Sequence, residues 1–77
     1  TARPLKGGGG ARVMEIVERH YTNTYRAVYT AQFDEALYVL HVFQKKSKSG
    51  IATPKPQIDL IRRRLVDAQR LHRERQD

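Results

Sequence analysis

The sequence predicts an α+β domain: a three-stranded antiparallel meander followed by one C-terminal basic amphipathic helix. Segments 13–20, 25–32 and 36–44 are rich in β-branched, aromatic and alternating apolar residues, and short polar connections separate them. This is the pattern of consecutive antiparallel strands. From about residue 56 to about residue 75, apolar residues instead recur at three- and four-residue spacing, which is typical of a helix. The 77 residues suffice for one small domain.

Residues 1–12 are expected to form a glycine-rich loop or linker ahead of a domain spanning residues 13–77. This segment contains Pro4 and four consecutive glycines at positions 7–10. A glycine run loses much backbone entropy in a regular element. Phosphate cradling by a P-loop is disfavoured, because that motif leads into a helix through Gly-Lys-Ser/Thr and this run leads into a strand.

The first two predicted strands form a β-hairpin. Its turn spans Tyr21 to Thr24 and is centred on Asn23. The third strand, 36–44, differs because it offers apolar residues to both faces: Leu37, Val39 and Phe43 to one, and Tyr38, Leu40 and Val42 to the other. Such a strand is typically covered on both sides. The chain visibly supplies one helical cover, so we expect a partner or an earlier segment of a longer chain to supply the second.

The helix is predicted from a start signal and a periodic apolar stripe. Thr53 and Pro54 suggest an N-cap and a first helical residue, while Pro56 moves the expected start to about residue 56. His72 is assigned to the solvated helix surface without a role. The stripe predicted to pack on the sheet consists of Ile58, Ile61, Leu65 and Ala68.

The chain carries a formal net charge of +7. Residues 45–77 hold ten lysines and arginines against four acids, so the basic surface belongs to the C-terminal part. This charge favours nucleic acid, an acidic protein or an anionic membrane as a partner, and a solvated basic helix is the plain alternative.

Composition also limits the type of site and the cellular compartment. Without cysteine there is no disulfide or thiolate site, and three scattered histidines make a poor zinc set. We therefore expect neither a metal nor another cofactor. No apolar stretch is long enough for a membrane span or a secretory signal, so a cytoplasmic protein is expected.

The apolar third strand ends abruptly in three lysines within four positions, Lys45, Lys46 and Lys48. Positive charge held at the end of a sheet suits a polyphosphate ligand, and RNA is the first candidate.

Several ordered motifs resemble the phage-derived HigB-like (gp49-like) toxins of the RelE/ParE superfamily. They are Met14-Glu-Ile, Tyr25-Arg-Ala-Val-Tyr, Leu40-His-x-Phe-x-Lys-Lys and Thr53-Pro before an Ile-Asp-Leu helix. The resemblance covers about residues 5–72. That family has an N-terminal strand and helical hairpin before this segment, so the resemblance implies that this N-terminal part is missing from the chain.

The resemblance implies the toxin of a toxin–antitoxin system, an mRNA interferase that cleaves messenger RNA on the ribosome without metal. It also implies a cognate helix-turn-helix antitoxin as partner. A second copy of the chain is a candidate cover for the exposed sheet face. The alternatives are a non-enzymatic ParE-like toxin that acts on a protein target such as gyrase, and an inactive phage remnant.

By the same resemblance, the catalytic candidates are Arg26, within the Tyr-Arg motif, and Lys46, after the last strand. Either cation could stabilise negative charge on the reacting phosphate. For Arg26 the structural alternative is a cross-strand ion pair with Glu15 or Glu18. Position 15 departs from well-studied relatives, which place lysine there.

The RNA-binding candidates are Lys45, Lys48, His20 and Tyr25. The lysines suit the phosphate backbone, and tyrosine can stack on a base. His41 could act as a general base, but its apolar strand favours a hydrogen-bonded core histidine. No residue is assigned as general acid.

Overall fold

A computed structural model of the chain describes residues 2–7, 12–45 and 53–76. Four strands, β1 (Ala2–Pro4), β2 (Val13–His20), β3 (Asn23–Thr30) and β4 (Val39–Lys45), are followed by the helix α1 (Lys55–Gln76). The strands form one antiparallel sheet in the order β1-β2-β3-β4. The predicted α+β class, with an antiparallel sheet and a C-terminal helix, is confirmed.

The sheet has four strands rather than three, because β1 lies within the segment expected to be a loop. Its backbone pairs with β2, with Arg3 opposite Glu15. Leu5 follows β1, donates its N–H to the Val13 carbonyl at 2.8 Å and is buried in the core. Proline is tolerated in β1 because this is an edge strand. Glycines 8–10 of the predicted loop lie outside the described residues.

The β2–β3 hairpin turns at Tyr21 and Thr22, so Asn23 is paired with His20 rather than lying at the centre of the turn. Tyr21 has a φ of 55°. This left-handed conformation brings Cβ close to the following carbonyl in residues other than glycine.

The core lies between α1 and one face of the sheet. The predicted helix stripe is confirmed, since all four of its residues are buried. The core also contains Leu5, Val13, Val28 and Leu40, and Tyr38 and Phe43 pack against it.

A β-bulge in β4 changes which residues share a face. Val28 pairs with His41 while the next residue, Tyr29, pairs with Val39, so Leu40 is the extra residue. Leu40 is buried, whereas Val39 and Val42 are each 62% exposed. The predicted simple alternation was therefore wrong: Val39 and Val42 share a face.

The sheet face opposite α1 is apolar and no described element covers it, as the sequence led us to expect. The register places these residues on the open face: Met14, Ile16, Ala27, Tyr29, Val39 and Val42. Val39 and Val42 are the most exposed of these residues, and the other four are partly buried.

The N-cap of α1 is Pro54 and not Thr53, which the sequence had suggested. The Pro54 carbonyl accepts hydrogen bonds from the N–H groups of Gln57 and Ile58 at 3.0 and 3.1 Å. Pro54 is therefore the N-cap, and the Thr53 hydroxyl is left for another contact. Among the described residues no helix is long and apolar enough to cross a membrane.

Replacing Tyr21→Asn is expected to raise the free energy of unfolding by about 1 kcal/mol, because asparagine tolerates the left-handed region at less cost. Urea denaturation followed by circular dichroism measures this. Thr22→Asn is the matched control and should not stabilise, since Thr22 has no positive φ. Equal effects of the two changes would contradict the strain at Tyr21.

Candidate functional site

The end of the sheet that carries the β2–β3 turn brings several predicted site residues together. We call this region the hairpin end, comprising residues 20–26 and 43–45. Thr24 pairs with Lys45 and Tyr25 with Gln44, and the Gln44 side chain donates to the Asn23 side-chain oxygen at 2.8 Å. His20, Tyr25 and Lys45 thus lie at one end of the molecule. Lys46 and Lys48 lie outside the described residues, as does the side chain of Lys45.

Neighbouring residues of the hairpin end are divided between the two sheet faces. Tyr25 lies on the open face and is 39% exposed, and exposed His20 has the same orientation by register. Arg26 lies on the α1 face and is only 2% exposed. The structure therefore does not place Tyr25 and Arg26 on one side of a ligand lying on either face.

Arg26 is held by a buried polar network. Its Nη1 donates to Glu15 Oε2 at 3.4 Å and to the Thr53 hydroxyl at 2.9 Å. The other Glu15 oxygen accepts a 2.7 Å hydrogen bond from Arg3 Nε. Arg26 and Glu15 are almost completely buried, whereas the Arg3 side chain is 52% exposed. This is the cross-strand ion pair with Glu15 that the sequence offered as the structural alternative; Glu18 is exposed.

The buried network accounts for a negatively charged residue at position 15, because Arg26 beside it is positively charged. A lysine there would place a second buried cation beside Arg26, and buried like charges without a counterion are costly. The carboxylate of Glu15 is instead paired with Arg3 and Arg26.

A pocket of about 260 Å³ lies beside this network. Its lining includes the basic side chains of Arg3, Lys6 and Arg26, the Thr53 hydroxyl and one carboxylate, Glu15. Arg3 and Arg26 are both paired with Glu15, and Pro4 and Leu5 contribute apolar surface to the same lining.

The lysine-bearing segment begins and ends beside Arg26. Lys45 lies two residues beyond Phe43, the partner of Arg26. Such diagonal positions are about 7–8 Å apart in an antiparallel pair. Thr53, the next described residue, hydrogen-bonds to Arg26. Of the two described residues that flank segment 46–52, Thr53 is therefore in hydrogen-bond contact with Arg26 and Lys45 is its diagonal neighbour.

His41 is a hydrogen-bonded histidine under α1, in accordance with the favoured interpretation. Arg64 Nη1 lies 3.1 Å from His41 Nδ1 and donates to the Leu40 carbonyl at 2.8 Å. A guanidinium can only donate, so Nδ1 accepts and the ring proton is on Nε2, facing the Gln57 side-chain oxygen. The Phe43 ring stacks on His41 with centroids 4.8 Å apart.

His72 is a second hydrogen-bonded histidine, so its predicted place on the solvated helix surface was wrong. Its side chain is 12% exposed. Nδ1 lies 3.1 Å from the Tyr38 hydroxyl, Nε2 lies 3.0 Å from Glu35 Oε1, and Phe33 stacks on the ring. A signal was present, because position 72 continues the spacing of the buried stripe after Ala68.

The carboxylate–imidazole–phenol chain of His72 has the connectivity of a proton relay. Tyr38 precedes β4 and Lys45 ends it, however, which separates them by about 20 Å at about 3.3 Å per residue. A reacting group must come within about 3 Å of its base. The relay therefore lies too far from the hairpin end to act there, and it fastens the end of α1 to the β3–β4 connection.

Among residues 2–7, 12–44 and 53–76, no three His, Asp or Glu side chains are arranged to hold a metal ion. A protein-family model described as "Phage derived protein Gp49-like (DUF891)" matches residues 1–66. No curated protein and no solved structure matches the chain. The family match includes all four strands and the first half of α1.

Replacing Glu15→Gln is expected to lower the free energy of unfolding by roughly 3 kcal/mol, because buried Arg26 loses its carboxylate. The measurement is urea denaturation. Arg3→Gln is the control and should cost less than about 1 kcal/mol, since Arg3 is half exposed and Glu15 keeps Arg26. If both variants lose the same amount of stability, the buried Glu15–Arg26 pair does not contribute more to folding than the half-exposed contact of Arg3.

Replacing His72→Ala is expected to cost about 2 kcal/mol, because two hydrogen bonds and the contact with Phe33 are lost together. Its exposed neighbour provides the comparison: Arg73→Ala should remain within about 0.5 kcal/mol of the parent. Thermal unfolding of both variants tests this. If His72→Ala leaves the stability unchanged, α1 does not depend on the contacts of His72 with Tyr38, Glu35 and Phe33.

Proposed function

Because the chain belongs to the phage-derived Gp49-like family, which is associated with toxin–antitoxin systems, we propose that it is the toxin of such a system. In this proposal it is a metal-independent, ribosome-dependent mRNA endonuclease. Its cognate antitoxin is a helix-turn-helix protein that binds and neutralises it.

The observation that carries this proposal is that buried Arg26 lies near the end of β4, where the chain continues into three lysines. Lys45 is a diagonal neighbour of Arg26, and Lys46 and Lys48 follow in the chain. When a ribose 2′-hydroxyl attacks the adjacent phosphate, negative charge accumulates on the phosphorane oxygens. Fixed cations lower the energy of that state more than that of the ground state.

We assign Lys46 to direct contact with the reacting phosphate and Arg26 to stabilisation of the same charge. Electrostatic interactions are stronger where water is excluded, and Arg26 is almost completely buried. Its position is fixed by Glu15 and Thr53, so little reorganisation is needed when charge develops.

The remaining residues of the hairpin end are proposed to hold the RNA. Lys45 and Lys48 contact the phosphate backbone. Tyr25, exposed on the open face, provides an aromatic ring for base stacking. His20, exposed near it, provides an imidazole that can bind RNA.

A specific observation favours a second candidate function, inhibition of a protein target in the manner of ParE. The open sheet face is apolar over several strands, and such surfaces mark protein interaction sites. In that case the face contacts a target such as gyrase, and Arg26 and Lys46 are not catalytic. A second copy of the chain could also occupy this face.

Induced expression of the gene is expected to stop growth and to yield messenger RNA cut within codons, as detected by mapping 5′ ends. Co-expression of the antitoxin should restore growth. Intact messenger RNA with altered plasmid supercoiling would contradict the nuclease and favour the ParE-like function. Unaffected growth would identify an inactive remnant.

Replacing Lys46→Ala should lower the cleavage rate by on the order of 10²-fold, the size of effect seen when one charge-stabilising group is removed. The control Arg12→Ala removes one positive charge from an exposed side chain at the opposite end of β2. It should cleave like the parent chain. If the two variants lose cleavage activity equally, the effect comes from the net charge of the protein and not from Lys46 itself.

A test of Arg26 must separate an effect on catalysis from an effect on folding, because Arg26 is buried and paired with Glu15. Arg26→Ala would leave Glu15 buried with only Arg3 as a partner. The double variant Glu15→Gln/Arg26→Gln removes both charges and keeps polar side chains of similar size, which preserves more stability than removing one partner. We expect a folded protein with greatly reduced cleavage. A folded and fully active double variant would make the role of Arg26 structural only.

A further inference from the structure

The charges of α1 are distributed unequally around its axis. At about 100° of rotation per residue, most of its basic residues lie between the outermost line of the helix and the side nearest β1. We call this set the basic flank; it consists of Lys55, Arg62, Arg63, Arg70 and Arg73. Asp59 is the acid among them. The opposite flank is balanced, with two basic and two acidic residues: Arg64, Asp67, Glu74 and Arg75.

Two contacts fix the orientation of these flanks on the sheet. Arg62 donates to the Gly7 carbonyl just after β1. Arg64, on the opposite flank, donates to the Leu40 carbonyl of β4. The basic flank therefore lies above the β1 edge, near exposed Lys6.

The cations of the two flanks also differ in the contacts that they make with the rest of the protein. On the opposite flank Arg64 contacts β4, and Arg75 lies over the Tyr38 ring at 5.8 Å. On the basic flank, Arg63 and Arg73 make no ion pair or hydrogen bond within the described parts of the chain. Lys55 and Arg70 pair only with exposed acids on α1 itself. Such exposed pairs are weak and exchange readily for another anion.

The composition of the helix restricts what this surface can recognise. α1 contains no Phe, Tyr or Trp, so it offers no aromatic ring for unstacked bases, which single-stranded RNA recognition commonly uses. A row of guanidinium groups instead suits phosphate oxygens, which carry no sequence information. At about 1.5 Å per residue, the row from Lys55 to Arg73 is about 27 Å long.

We propose that the basic flank of α1 is a binding surface for the phosphate backbone of double-helical RNA, separate from the hairpin end where cleavage is proposed. The choice of RNA rests on the proposed function, and the choice of a duplex rests on a rigid helix that carries cations along about 27 Å of its length and no stacking groups. Structured RNA of this kind is what a ribosome-dependent enzyme meets. Binding is independent of base sequence and falls steeply with salt.

The test measures binding of the whole chain to a fluorescent RNA duplex of about 20 base pairs, long enough for the row of cations. Anisotropy is recorded between about 50 and about 200 mM salt. The test variant is Arg63→Gln/Arg73→Gln. Its matched control is Arg12→Gln/Arg19→Gln, which removes the same charge from two exposed residues, one just before β2 and one within it. Circular dichroism confirms that both variants fold.

The flank variant is expected to lose about tenfold in affinity or more. Its plot of log affinity against log salt should be shallower by about 1.8, since each lost phosphate contact contributes about 0.9. The control should change affinity by less than about twofold. Equal losses in the two variants would overturn the proposal, because net charge alone would then explain binding.

Two further outcomes are informative. Tighter binding of the parent chain to a single strand of the same sequence would overturn the duplex assignment. A chain that binds the duplex through the flank but leaves messenger RNA intact would support this proposal while refuting the proposed nuclease. Failure of one proposal is thus distinguishable from failure of the other.

Discussion

The carboxylate of Glu15 is the group on which both the fold and the candidate site depend. It accepts from Arg3 on β1 and from Arg26 on β3, and Arg26 in turn donates to Thr53 before α1. One buried anion therefore connects three strands and the start of the helix. A strand of three residues gains little from its own ladder, so this contact, together with Leu5 in the core, explains why β1 joins the sheet at all. The same carboxylate fixes the buried Arg26 side chain near the end of β4, where charge stabilisation is proposed.

Coverage of the sheet on one side makes α1 unusually important. The helix supplies half of the buried apolar residues of the core, while the opposite sheet face has no described cover. Polar contacts supplement the apolar stripe along the whole helix. Thr53 joins Arg26 ahead of it, Arg64 reaches the Leu40 carbonyl near its middle, and His72 meets Tyr38 near its end. Each contact satisfies a polar group that would be costly to bury alone, so together they specify one position for α1 on the sheet.

Sequence periodicity predicted the fold class and most of the elements, because strand and helix patterns reflect which face is buried. Three features escaped it for physical reasons. β1 is too short to show alternation and lies beside a glycine run. The bulge at Leu40 adds one residue to β4 and so changes the face of the residues that precede it. His72 continues the helix stripe, but imidazole is polar, and only the long-range partners Glu35 and Tyr38 reveal it as buried. For the candidate site, the sequence predicted which cations take part, and for Lys46 and Lys48, which lie outside the described residues, this stays a prediction. Strand alternation alone places Tyr25 and Arg26 on opposite faces, but the sequence did not show which of the two lies on the face covered by α1, since that depends on packing.

The basic flank of α1 begins close to the hairpin end, so one bound RNA could contact both surfaces. The basic flank begins at Lys55, two residues after Thr53, and Thr53 contacts Arg26 at the hairpin end. Under the proposed function, one RNA assembly can contact both surfaces, but the surfaces act differently on the reaction. Contacts along the flank are the same in the ground state and in the transition state, so they lower KM without changing kcat. In the same proposal Arg26 and Lys46 oppose charge that develops only during attack, so they act on kcat. A small basic domain can therefore combine strong, sequence-independent attachment with a cleavage site that is limited to one corner of its sheet.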